Sequence, residues 1–371
     1  MRNWIQKLFC ASLAAGGLAS AGAALAADVK ILNVSYDVTR EFYQDYNRVF
    51  AAYWKEKTGD TVIINQPHGG SSKQAQSVIN GLEVDVVTMN QPPDIDVLHT
   101  AGRLLPANWA TRLPNHSVPY SSTIVFVVRE GNPKDIRNWD DLVRSDVSVV
   151  VPNPKTSSNG RYGYLAAWGY ALKKSAGLRQ AEADSHLADG QQQDVNSRLA
   201  SSGYGPAEAG DEKQARAFVA KLFANVPVLD TGGRGATTTF ADRGIGDVLL
   251  TFENEAALVQ KEFPDDQLEV VLPPVSILAE NPVAWVDHNV ERHHTEAVAR
   301  AYLEYLYSDE GQELAAQHFF RPKNKDILER YSTRYKPVEL FTVDEIVGGW
   351  QKAQQAHFAD GGIFDQIYQP Q

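Results

Sequence analysis

The sequence predicts an α/β protein of two lobes, each a sheet flanked by helices. Strand-like and helix-like runs alternate along most of the chain, as they do where a parallel sheet is wound with helices. The chain has 371 residues, more than one core usually serves, so two lobes of roughly 100 to 200 residues each are expected. Three short turns, Gly69-Gly70-Ser71-Ser72, Thr156-Ser157-Ser158-Asn159-Gly160 and Thr231-Gly232-Gly233-Arg234-Gly235, each fall between a strand-like and a helix-like run.

Taken in order, Lys30 to Tyr36 is a strand, with Ile31, Leu32 and Val34 as its apolar residues. Thr39 to Lys57 is a helix, because Phe42, Tyr46, Val49, Phe50 and Tyr53 recur at helical spacing, and Gly59 stops it. Thr61 to Ile64 is a strand, Ser72 to Leu82 a helix, and Val84 to Met89 a buried strand. Ile124 to Arg129 is another strand, followed by a Gly131-Asn132-Pro133 turn and a short helix at Trp139 to Val143. Val147 to Val151 leads into the second turn, and Tyr162 to Lys173 is a helix. Ser175 to Lys213 then reads as a polar insertion, with helix at most over Ala181 to Ala188, since its Ala, Gln, Asp, Ser and Gly cannot build much core. A helix at Ala215 to Phe223, strands at Val226 to Leu229 and Val248 to Phe252, and an extended stretch from Ile277 to Val286 follow. Pro282 marks that stretch as an edge or a crossover. Glu296 to Tyr307 is a long helix and Trp350 to Phe358 a terminal one, while Pro322 to Val338 carries no clear period.

Arg2 and Lys7, the apolar and small residues from Leu8 to Leu25, and Ala24-Leu25-Ala26 together predict a secretory signal peptide over residues 1–26. Cleavage after Ala26 removes the single cysteine, Cys10, so the mature chain is expected to have neither disulfide nor thiol chemistry. No later stretch reaches the ~18 apolar residues of a membrane span, so the mature chain is expected in the periplasm without membrane insertion. The net charge is −11, and loss of Arg2 and Lys7 makes it more negative, which argues against nucleic acid as a partner.

The three turns point to anion binding. Small residues at a helix start leave the first N–H groups bare, and the macrodipole makes that end electropositive. Each turn alone is equally well explained as a connection or an N-cap; three of them converging would form a cage. No GxGxxG, P-loop, HExxH or GxSxG occurs, so nucleotide binding and the common hydrolase chemistries lack support. His68, His99, His116, His186, His318 and His357 are scattered, and the pair His293-His294 reads as solvated surface, so no metal and no cofactor is expected.

Five stretches together resemble the periplasmic sulfate- and thiosulfate-binding proteins. They are Asn33-Val34-Ser35-Tyr36-Asp37-Val38-Thr39-Arg40-Glu41, His68-Gly69-Gly70-Ser71-Ser72-Lys73-Gln74, Pro152-Asn153-Pro154-Lys155-Thr156-Ser157, Leu165-Ala166-Ala167-Trp168-Gly169 and Gly244-Ile245-Gly246-Asp247-Val248-Leu249. The resemblance spans nearly the whole mature chain and implies a type II periplasmic binding protein with two hinge crossovers. It also implies a monomer that is not an enzyme, and delivery of thiosulfate or sulfate to an inner-membrane ABC permease. The expected lobes are residues 27–120 plus 277–371, and 121–276.

In that family uncharged donors hold the dehydrated dianion between the lobes. The matching positions are Ser71, Ser157, the backbone donors Ser158 and Asn159, and Gly233. A donor-only cage suits an anion with no proton to give. Where sulfate binders carry glycines this chain has Ser158 and Asn159, and where they carry a tryptophan donor it has Phe252. Thr88-Met89-Asn90-Gln91, the run from Thr231 to Phe240, and Pro282-Val283-Ala284-Trp285-Val286-Asp287 look closer to the thiosulfate branch. Phe252 then reads either as an aromatic wall for a polarisable terminal sulfur or as plain core. Asn90 and Gln91 are further candidate donors. Lys73, Arg161 and Arg234 read either as direct partners of the anion or, in preference, as counter-charges for Asp37 or other acids outside the cage, with Asp37 orienting a helix or a neighbouring base. The alternatives are a primarily sulfate-binding protein and, from another class, an exported anion-processing enzyme.

Overall fold

The computed structural model describes residues 28–187, 209–264 and 268–368. The expected signal peptide and part of the expected insertion, residues 188–208, lie outside the described residues.

Two sheets organise the chain. The first contains β1 (Asp28–Tyr36), β2 (Thr61–Asn65), β3 (His68–Gly69) and β4 (Val86–Thr88), all parallel to β1. The second contains β5 (Tyr120–Val128), β6 (Val149–Pro152), β7 (Leu229–Asp230), β8 (Val248–Phe252), β9 (Glu269–Val271) and β10 (Val275–Asn281). After β10 the chain changes sheet at Pro282, and β11 (Val283–Trp285) pairs antiparallel with β4. Proline fits there because it has no N–H to give to a ladder, and the extended run read from Ile277 to Val286 is thus two strands in two sheets.

The first core is an aromatic stack. Phe42, Tyr46 and Phe50 recur every four residues on the Arg40–Thr58 helix, and Tyr302 of the Glu296–Tyr305 helix meets Tyr46 and Phe50 edge-on, at centroid distances of 5.1 and 5.0 Å. Helical periodicity alone puts these rings on one face, and burying them is worth about 1.5 to 3 kcal/mol each. The second core gathers Phe126, Trp139, Tyr164, Trp168 and Phe223, with the Trp139 indole donating to the Val275 carbonyl at 2.8 Å.

The chain after Ile277 is divided between the two sheets and does not stay with the first lobe. Its helices from Asp287 to Gln317 cover the first core, and β12 (Arg321–Pro322) pairs with the start of β5. Beyond that, β13 (Glu339–Phe341) joins β10, and Phe341, Ala353, Phe358 and Phe364 sit in the second core. The chain therefore passes between the sheets three times, at β5, at Pro282 and at β12, one passage more than expected. The helix read as Tyr162 to Lys173 runs from Ser158 to Leu187, so the start of the expected insertion, from Ser175 to Leu187, continues that helix. Its alanines, with Leu178, Arg179, Gln180 and Glu182, suit helix even without an apolar stripe.

His293 and His294 are both exposed, as the surface reading has it, and His293 is also tied to two carboxylates. Its Nδ1 lies 2.9 Å from Asp85 Oδ1 and its Nε2 3.3 Å from Glu83 Oε2, and these bonds raise its pKa above the ordinary value. A raised folded-state value means that the stabilisation is full below the unfolded pKa of about 6.5 and fades as pH rises through the folded value. The melting-temperature gap between wild type and His293→Gln is accordingly expected to be widest near pH 6 and to close by about pH 9, as a pH series of thermal melts would show.

Candidate functional site

The three small-residue turns meet at the junction of the sheets. Ser71 begins the Ser71–Ile79 helix after β3; Ser158 begins the Ser158–Leu187 helix after β6; Gly233 begins the Gly233–Phe240 helix after β7. Strands β6 and β7 are parallel neighbours with Pro152 opposite Asp230, so the second and third turns leave the sheet side by side. Thr156 Oγ1 donates to the Thr231 carbonyl at 3.2 Å and locks the two together. A methyl group on Gly70 would lie 3.5 Å from the Thr156 carbonyl oxygen and 4.0 Å from that of Thr231, which brings the first turn against both. A methyl on Gly233 would meet Asn159 Nδ2 at 2.9 Å and Val38 at 3.2 Å, and one on Gly232 would meet Asp37 Oδ2 at 2.9 Å. Three helix starts thus converge, with the segment after β1 beside them. Each start carries N–H groups that its own helix cannot use, and the macrodipoles add at one point.

The hydroxyls are held by backbone groups. Ser71 Oγ accepts from Asn90 N at 3.1 Å and donates its own proton to Met89 Sδ at 3.6 Å, a weak acceptor that an anion would outcompete. Asn90 Oδ1 accepts from Asn281 Nδ2 at 3.0 Å, linking this serine to the crossover at Pro282. Ser157 Oγ accepts from Gly160 N at 3.4 Å as a helix cap. Lys155, next to the second turn, reaches Asp365 at 2.9 Å and Asp360 at 3.2 Å, so the C-terminal segment braces that turn.

The charged candidates separate. Arg234 joins the lobes: Nη2 lies 2.8 Å from Glu41 Oε2, Nη1 3.1 Å from Glu262 and Nε 3.4 Å from Glu255, while its backbone N–H donates to Asp37 Oδ2 at 3.4 Å. Its side chain lies among three glutamates. Burial raises the Asp37 carboxyl above its ordinary value, and the Arg234 N–H works against that shift. Arg161 is buried and donates through Nε to the Pro154 carbonyl at 2.9 Å; burial lowers its pKa, and the charge of Asp94 opposes the change. Lys73 is a correction: it is exposed and forms no ion pair among the described residues, because its place in the first turn of the helix points it to solvent. Gln91 is buried, but its Nε2 donates to Asp94 Oδ1 at 3.1 Å, so its amide is held by that carboxylate. Phe252 is 1% exposed at the end of β8 and meets Tyr162 edge-on at 5.7 Å.

Residues not singled out from sequence also shape the site. Glu255 is fully buried, accepts from Thr237 Oγ1 at 2.9 Å, and is pushed up to about 7 by burial. Asp94 accepts from Ser72 Oγ at 2.7 Å, and Thr251 Oγ1 accepts from Asn159 Nδ2 at 3.2 Å. These contacts join segments far apart in sequence, and no local spacing announces them. Among the described residues no group of side chains could hold a metal ion, and no helix is long and apolar enough to cross a membrane.

Residues 37–321 match the family model of bacterial extracellular solute-binding proteins. The chain is 52% identical over 366 residues to a thiosulfate-binding protein of Pseudomonas aeruginosa, covering 99% of this chain and 100% of that one. It is 50% identical over 343 residues to a sulfate-binding protein of Salmonella typhimurium, covering 92% and 94%. Among solved structures, the sulfate-binding protein SubI of Mycobacterium tuberculosis superposes with a TM-score of 0.71 at 27% identity, covering 88% of this chain and 98% of that one. Fold, converging helix starts and relatives agree: this chain belongs to the bacterial extracellular solute-binding protein family, within its sulfate- and thiosulfate-binding branch.

Proposed function

We propose that the protein binds thiosulfate, with sulfate as a second ligand, as a dehydrated dianion between its lobes. The anion is then delivered from the periplasm to an inner-membrane ABC permease. The convergence of three helix starts on one point carries this reading, and the 52% identity to a thiosulfate-binding protein sets the order of the two ligands. Ser71, Ser157, the backbone N–H groups of Ser158 and Asn159, and that of Gly233 are the donors. Asn90 supports Ser71 from behind. Each charge-assisted bond contributes about 1.5 to 3 kcal/mol, so a handful supply the ~8 kcal/mol of micromolar binding after the costs of ordering and desolvation. Asp37, Arg161 and Arg234 balance charge around the donors without meeting the anion. The lobes are residues 28–119 with 283–320, and 120–281 with the segment from β12 onward; they close on the ligand, as hinge-bending proteins do. The protein acts as a monomer and turns nothing over.

Equilibrium dialysis against radiolabelled thiosulfate tests this: saturable retention of one anion per chain, recovered chemically unchanged, is expected. Consumption of the thiosulfate would make the protein an enzyme and end the transport reading. Phe252→Trp is expected to place an indole N–H at the end of β8 and raise sulfate affinity relative to thiosulfate by about tenfold, the worth of roughly one net hydrogen bond. Competition titrations of the two anions measure that ratio. An unchanged ratio would assign Phe252 to the core alone.

A further inference from the structure

We propose that the side chain of Asn159 is a strut that fixes the distance between the second and third helix starts, and so sets which tetrahedral dianion the site prefers. This rests on the anion-binding reading above and goes beyond it, since there Asn159 serves only through its backbone.

Asn159 is the second residue of the Ser158–Leu187 helix and only 3% exposed. Its amide lies against the third turn, where a methyl on Gly233 would come within 2.9 Å of Nδ2, closer than packed atoms allow. The same nitrogen donates to Thr251 Oγ1 at 3.2 Å, on a threonine that is itself buried in the penultimate position of β8. The side chain is therefore pressed between one helix start and the next and pinned from below by a strand. The other end of the amide, Oδ1, is buried and has no partner. A buried amide oxygen without a donor is a cost to folding, and it calls for a role other than stability. Its role here is dimensional. Gly233 has no side chain there, so the Asn159 amide fills the space beside it and limits how closely the third helix start approaches the second, within the bounds that the β6–β7 pairing and the Thr156–Thr231 bond set.

The chemistry of the two ligands makes that separation selective. Thiosulfate has a terminal sulfur, larger than oxygen and on a longer bond, in place of one sulfate oxygen. A site held open by the amide accommodates the longer anion. With the strut removed, the third turn settles toward the second and the shorter anion fits better. The preference of the site thus depends on the size of residue 159, whereas the strength of binding depends also on its charge.

The test is competition calorimetry with thiosulfate and sulfate on the full mature protein, with thermal melts alongside. Asn159→Gly and Asn159→Ala are expected to lower the thiosulfate-to-sulfate affinity ratio at least tenfold. Asn159→Asp keeps the width and adds a negative charge, so it should weaken both anions together and leave the ratio within about twofold. Thr251→Val frees the strut without removing it and should lower the ratio by about threefold, which serves also if the glycine variant fails to fold. A ratio that stays at the wild-type value in the alanine and valine variants, whatever happens to the melting temperature, overturns the proposal. Wild-type protein that binds neither anion overturns the underlying reading instead, and the strut with it.

Discussion

Replacing Gly160 by alanine is expected to cost at least about 3 kcal/mol of stability and to weaken thiosulfate binding about 100-fold. A methyl group there would lie 2.3 Å from the Pro152 carbonyl oxygen and 2.8 Å from the Asn153 carbonyl carbon. Both obstacles are backbone, so no side chain can turn aside to make room. The turn from Asn153 to Ser157 is also closed by bonds from Ser157 N to Asn153 O at 2.8 Å and from Gly160 N to Ser157 Oγ at 3.4 Å. Relief of the clash must push the start of the Ser158–Leu187 helix away from β6, and the N–H groups of that start move with it. Losing about two charge-assisted bonds at ~1.5 kcal/mol each accounts for the fall in affinity. Denaturant melts and calorimetric titration check the two effects separately; an alanine variant with wild-type affinity would show that the second turn does not hold the ligand.

Ser71→Ala is expected to weaken binding 10- to 100-fold and to cost about 1 to 2 kcal/mol of stability, since it removes the hydroxyl proposed to donate to the ligand and strands a buried N–H. The stranded group is Asn90 N, which gives its proton to Ser71 Oγ at 3.1 Å. Asn90 in turn accepts from Asn281 at the residue before the Pro282 crossover. The alanine variant should therefore also loosen the hinge, seen as faster amide exchange at Asn90 and around Asn281. Ser71→Thr keeps the hydroxyl and is expected to recover most of the affinity. Equal losses in the threonine and alanine variants would mean that the hydroxyl is not the group that matters.

What the sequence made legible is what short-range pattern encodes. The aromatic face of the Arg40–Thr58 helix, the apolar run of β8 and the three turns at strand-to-helix boundaries all depend on spacing within a few residues. The convergence of those turns was an inference from resemblance until the register of β6 and β7 supplied a geometric reason for it. Other features have no local signature. The return of the chain to the second sheet rests on Phe341, Phe358 and Phe364, single aromatics in one short strand and two short helical segments that no common period connects. The helix beyond Lys173 carries Ala176, Ala181 and Ala183 among polar residues, which favour helix but offer no apolar stripe, so its polarity reads as an insertion. Glu255 and Asp94 are buried carboxylates whose partners are close only in the fold, Thr237 and Arg234 for one, Ser72 and Gln91 for the other. Lys73 failed as a counter-charge for the converse reason: nearness in sequence to a donor turn does not decide which way a helical side chain points.

The central claim is that helix-start N–H groups from both lobes surround one fully deprotonated dianion. Isothermal titration of the mature protein with thiosulfate, sulfate and phosphate tests it most directly. One site per chain is expected, with micromolar or tighter binding of thiosulfate, weaker binding of sulfate, and none of phosphate near neutral pH, where a protonated oxygen finds donors on every side and no acceptor. Phosphate bound as tightly as thiosulfate would contradict a donor-only site, and no heat with any of the three would contradict the anion site itself.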